Sequence, residues 1–112
     1  MSAAEQLEWI EVGPLAAIPQ RGARTVRTAD GDIAVFRTAD DRVFALDDHC
    51  PHQGGPLSQG IVAGETVTCP LHAWCLSLET GEALAPDSGH TGRYPVRVDD
   101  GVVYLSLTAE GG

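Results

Sequence analysis

Apolar residues recur at every second position in short runs along this chain, and each run is closed by residues that favour turns. A period of two puts alternate side chains on opposite faces of an extended backbone, so the runs predict strands. They are Glu8 to Val12, Ala23 to Thr28, Ile33 to Arg37 and Val43 to Leu46, followed near the end by Tyr94 to Val98 and Val102 to Leu107. Asp30-Gly31 and Asp40-Asp41 supply turns within the first group, and Asp99-Asp100-Gly101 is a further hairpin signal. Asp and Gly suit such turns because they tolerate the positive φ that a tight hairpin requires. In the last run Val103, Leu105 and Leu107 fall on one face. No 3.6-residue period is sustained, so the predicted fold class is all-β, an antiparallel sandwich or barrel.

Between the two groups the pattern changes to DDHCPHQGGPLSQGIVAGETVTCPLHAWCLSLETGEAL, dense in Gly, Pro, Cys and His. We expect the outer groups, about 1–46 and 86–108, to form a scaffold, and an insert over about 47–85 to present the chemistry on loops. The 112 residues suit one domain and leave no room for a second, catalytic one. The 13 glycines and seven prolines fit a turn-rich chain, and residues 109–112 are expected to fray.

Charge and cysteine content narrow the function. Sixteen acids stand against seven bases, all arginine, for a net charge of −9, which argues against nucleic acid as a partner and fits docking on a basic protein face or simply solubility. No apolar run approaches the roughly 20 residues that span a bilayer, and the N-terminus lacks a basic region followed by an apolar stretch, so no membrane association and a cytoplasmic location are expected. Three cysteines cannot all pair, and two of them lie beside histidines, which points to metal ligation in a reducing compartment.

The candidate metal ligands are Cys50 and His52 in Cys50-Pro51-His52, then Cys69 and His72 in Cys69-Pro70-Leu71-His72, with 16 residues between the clusters. Each cluster offers one thiolate and one imidazole. Two Cys and two His suit a two-iron cluster whose irons differ in ligation, and they also satisfy tetrahedral zinc. The pattern C-x-H, spacer, C-x-x-H resembles the Rieske family, with Gly55-Pro56, Gly60, Trp74 and Gly81 in support. That resemblance implies one [2Fe–2S] cluster held by Cys50, His52, Cys69 and His72, with the histidine edges open to a partner. Imidazole in place of thiolate leaves the oxidised site less negative and raises its reduction potential. Gly54 and Gly55 would let backbone N–H groups approach the cluster sulfurs, and Pro51 and Pro70 would stiffen the loops. Rieske proteins of higher potential add a disulfide between the loops; Gly55 and Leu71 occupy those positions here, which places the chain with the ferredoxin-like members.

Outside these patterns Cys75 reads as a small buried apolar residue, and His49 and His90 as surface residues. Trp74 and Leu57 are candidates to shield the cluster, with core packing as the other reading for Leu57, and Trp9 is expected to pack in the scaffold. There is no second metal site of the two-His, one-carboxylate kind and no G-x-G-x-x-G fingerprint, so the chain is expected to relay electrons and to contribute no catalytic residue. The segments IAVFR at 33–37, PLSQGIV at 56–62, CPLHAW at 69–74, SLETGEA at 77–83 and RYPVRVDDG at 93–101 are similar to the small subunit of assimilatory NAD(P)H-dependent nitrite reductase. That similarity implies docking on a large subunit carrying flavin and sirohaem. The alternatives are a stand-alone ferredoxin feeding a ring-hydroxylating dioxygenase and a structural zinc module.

Overall fold

The computed structural model describes residues 9–28, 31–49, 56–69, 74–84 and 89–106. These residues form ten strands, β1 (Trp9–Pro14), β2 (Gly22–Thr28), β3 (Gly31–Arg37), β4 (Val43–Asp47), β5 (Ile61–Ala63), β6 (Thr66–Thr68), β7 (Cys75–Ser77), β8 (Arg93–Tyr94), β9 (Val96–Asp99) and β10 (Val102–Ser106). Two single 3-10 turns, Leu15–Ala17 and Leu57–Gln59, complete the regular structure, and the described residues contain no α-helix. The all-β fold read from the alternation is the observed one.

Three antiparallel sheets result, with strand orders β1-β10-β9, β2-β3-β4-β8 and β5-β6-β7. The four-stranded sheet lies between the other two because β3 is apolar on both faces. Ile33 and Val35 join Val12, Val103 and Leu105 in one core, whereas Ala34 and Phe36 join Leu57, Val62, Val67 and Leu76 in the other. In β4, Ala45 and Leu46 divide between the same two cores. Phe36, Val35 and Leu46 are fully buried, and burying each such side chain contributes roughly 1.5–3 kcal/mol.

The turns follow their residues. Asp99 pairs with Val102, so Asp100 and Gly101, at φ 52° and 75°, form the two-residue hairpin loop that a type I′ turn provides. Asp41 takes φ 65° in the loop between β3 and β4. Thr28 pairs with Gly31, which makes Gly31 the first residue of β3; its predicted turn partner Asp30 lies outside the described residues, as do Leu107 and 109–112.

Two strand assignments differ from expectation. The run Tyr94 to Val98 divides at Pro95, which has no N–H to donate: Tyr94 pairs with β4, Val96–Asp99 pairs with β10, and the chain passes from one sheet to another between them. The insert, expected to be loops, contains β5, β6 and β7. Each is three residues long, too short for alternation to register, although Gly64 at φ 57° marks the turn between β5 and β6.

Candidate metal centre

The β5-β6-β7 sheet sets where the two Cys/His segments leave the fold. Ile61 pairs with Thr68, and Thr68 pairs with Cys75. One end of this sheet is therefore formed by the residues that follow the first segment and the two that flank the second. Gly60 brings them into contact: a Cβ there would lie 2.3 Å from the Thr68 carbonyl oxygen and 2.9 Å from Val67 Cγ2. Only glycine lets the 57–60 turn pack this closely on β6.

Hydrogen bonds close both segments at their bases. The Asp48 carboxylate accepts the Ser58 N–H at 2.7 Å and the Ser58 hydroxyl at 2.8 Å, tying residue 48 to residue 58 across the first segment. The Thr25 hydroxyl donates to the same carboxylate at 3.4 Å, and the Thr91 hydroxyl donates to the His49 carbonyl at 3.0 Å. Across the second segment the Cys69 N–H donates to the Trp74 carbonyl at 2.6 Å. The latch of Asp48, Ser58 and Thr91 carries no motif, so sequence reasoning missed it; its residues are distant in the chain and meet only through the sheets.

Of the four predicted ligands, Cys69 is described: it follows β6, is 2% exposed, and shares a core with Leu57, Val62, Val67 and Leu76. Cys50, His52 and His72 lie outside the described residues, as do Pro51, Gly54, Gly55, Pro70 and Leu71. Leu57 is fully buried in that core and Trp74 packs half-buried against it, so both belong to the apolar cluster that holds Cys69. His49 and His90 are exposed, and Trp9 stands under the Arg97 guanidinium, 5.1 Å from its ring centre, as a scaffold residue. Cys75 differs from expectation. It is half-buried on the outer face of its sheet, where its sulfur meets the Thr68 hydroxyl at 3.3 Å, because β7 directs Leu76 to the core instead.

The far end of the small sheet is braced electrostatically. Arg42, stacked over Phe44, pairs with Glu65 and, at 3.1 Å, with Glu79. Hydrogen bonding with Glu65 and Arg42 holds the Glu79 carboxyl below the usual carboxylate range, and Glu79 and Glu65 push Arg42 up.

Residues 8–106 match the family model of the Rieske-like [2Fe-2S] domain. The chain belongs to this family. A Rieske-type [2Fe–2S] cluster is the cofactor of the family, and the Rieske-like chain is an electron-transfer protein of ferredoxin type. Its residues fit that cluster: the sequence offers the two Cys and two His that such a cluster takes, and the Cys69 thiol is buried where β6 ends. The 3-phenylpropionate/cinnamic acid dioxygenase ferredoxin subunit of Photorhabdus laumondii is 40% identical over 95 residues, 83% of this chain and 89% of that protein. A chain in the complex of reduced oxygenase and oxidized ferredoxin of carbazole 1,9a-dioxygenase superposes with a TM-score of 0.83 at 25% identity, covering 93% of this chain and 97% of that one. A protein assigned as the small subunit of an NADPH nitrite reductase superposes at 0.77 with 28% identity, over 88% and 98% of the two chains. Among the described residues no helix is long and apolar enough to cross a membrane.

Proposed function

We propose that Cys50, His52, Cys69 and His72 hold the cluster and that the chain, as a single Rieske domain in the cytoplasm, is a ferredoxin delivering single electrons to an aromatic-ring oxygenase. The observation that carries the partner assignment is the 40% identity to a dioxygenase ferredoxin subunit over 83% of this chain and 89% of that protein. The oxygenase reading, second to nitrite reductase on sequence segments alone, thereby becomes the first.

When bound, the cluster supplies a one-electron redox site, and two imidazoles set its potential above that of a four-thiolate site. The protein's part is to hold the ligand segments still and dry. Asp48 and Ser58 fix the ends of the segment bearing Cys50 and His52, and the Cys69–Trp74 hydrogen bond fixes those of the segment bearing His72. Leu57 and Trp74 pack in the apolar cluster around Cys69 and exclude water there.

The test is replacement. Added in reduced form to the 3-phenylpropionate/cinnamic acid dioxygenase of Photorhabdus laumondii in place of its own ferredoxin subunit, the chain should restore oxidation of 3-phenylpropionate. Failure to restore turnover with a fully loaded cluster would remove the oxygenase assignment. Nitrite reductase remains the second reading, supported by the 28% identity to a small subunit over 98% of that chain. It predicts nitrite-dependent NAD(P)H oxidation by a large flavin and sirohaem subunit only when this chain is added.

A further inference from the structure

Three large apolar side chains are exposed among the described residues, Ile61 at 67%, Leu84 at 41% and Val98 at 43%. Scattered apolar residues are ordinary on a protein surface, but the strand register puts two of these three in one row. Ile61 pairs with Thr68, Thr68 with Cys75, and the Leu84 N–H donates to the Cys75 carbonyl at 2.8 Å, next to the Leu76–Ala83 bridge. Paired residues share a face. Ile61, Thr68, Cys75 and Leu84 therefore form one row across the outer face of the small sheet, whereas Val62, Val67 and Leu76 point to the core. With strands about 4.8 Å apart, the row runs roughly 14 Å. It lies at the sheet end from which both ligand segments emerge, since Cys69 follows Thr68 and Trp74 precedes Cys75.

Charge says what covers it. The chain carries a net charge of −9, and although Arg42 pairs with Glu65 and Glu79 at the far end of the small sheet, no arginine lies within residues 43–92. Glu82 is exposed near the row. A lysine- or arginine-rimmed protein face with an apolar centre complements this half of the molecule, and a row of this length suits the small, short-lived interfaces of electron-transfer pairs.

We infer that Ile61 and Leu84 are the apolar anchors of a docking face, on the outer side of the β5-β6-β7 sheet, for a redox protein with a basic contact surface. This rests on the electron-transfer reading above and adds to it where the partner sits. The probe is ferricytochrome c, a basic one-electron protein, titrated calorimetrically into the oxidised, cluster-loaded chain at low salt. The variant I61S/L84S should bind about tenfold more weakly, the order expected for withdrawing two partly buried aliphatic contacts, and V98S should bind as the unaltered protein does. All three positions are exposed, so folding is retained, and circular dichroism verifies it. Equal affinity of I61S/L84S and the unaltered chain, or an equal loss in V98S, would overturn the docking face. The visible spectrum of the same samples separates this from failure of the cluster reading: an unchanged affinity with a full spectrum counts against the face alone, whereas a colourless chain counts against the cluster.

Discussion

Asp48→Ala removes the acceptor that closes the first ligand segment. The carboxylate receives two Ser58 hydrogen bonds, at 2.7 and 2.8 Å, and both span ten residues of chain. A hydrogen bond to a charged group is worth about 1.5–3 kcal/mol, and because Asp48 and Ser58 are half-buried the lower end applies, giving about 3 kcal/mol for the pair. For a chain of this size 1 kcal/mol moves the midpoint by roughly 4 °C, so Asp48→Ala should lower Tm by about 12 °C. Asp48→Asn keeps one neutral acceptor and should lose about half as much. The assay is thermal unfolding followed in parallel by far-ultraviolet circular dichroism and by visible absorbance of the loaded protein, at one scan rate. The absorbance should fall before the dichroism, since the latch is local to the ligand segment. A double-mutant cycle with Ser58→Ala isolates the hydroxyl–carboxylate bond, since the Ser58 N–H is retained, and should show coupling of about 1.5 kcal/mol. An Asp48→Ala protein melting within 2 °C of the unaltered one, with simultaneous loss of both signals, would refute the reasoning.

Two further predictions concern the small sheet. Gly60→Ala sets a Cβ 2.3 Å from the Thr68 carbonyl and should cost about 1–3 kcal/mol with early loss of the visible spectrum. Gly64→Ala, with nothing within 4 Å but φ at +57°, should cost about 1–2 kcal/mol and leave the spectrum intact; equal bleaching in both variants would deny Gly60 its role at the segment bases. Glu79 has a folded-state pKa below its ordinary 4.5, so its stabilising contribution is complete above that value and is lost as the pH falls through the folded pKa. Glu79→Gln should therefore lower Tm at neutral pH and flatten the acid limb of a Tm-against-pH curve below about 4.5, its curve meeting that of the unaltered protein at low pH; parallel curves would show that Arg42 does not hold this carboxylate.

The larger sheets were legible in the sequence because most of their strands, though not the two-residue β8, form apolar runs of four residues or more closed by turn residues. Asp100-Gly101 specified its hairpin outright, and the continuous apolar run Ile33 to Phe36 marked a strand, although only the structure shows that both its faces are buried. Pro95 was visible but its consequence was not: loss of one donor ends pairing in one sheet, and where the chain goes next depends on which edge is open. The three-residue strands of the insert fall below the length at which periodicity carries information. The metal centre divides in the same way. Its ligand types and spacing identify the family from the sequence, because thiolate and imidazole at these intervals have few other uses. Asp48 and Ser58 do not announce themselves, since their pairing is a product of tertiary proximity. Cys75 illustrates the limit of residue-type arguments: a cysteine is commonly buried, yet the register of β7 gives the core position to Leu76.

The central claim is that two Cys and two His hold a Rieske-type cluster, and metal and sulfide content read together with electron paramagnetic resonance tests it most directly. The purified chain should contain two irons and two sulfides, as the [2Fe–2S] family requires, and should give a Rieske-type signal on reduction that is lost in His52→Ala and His72→Ala. A colourless chain with one tightly held zinc and no iron, or a Rieske signal that survives either substitution, would contradict it.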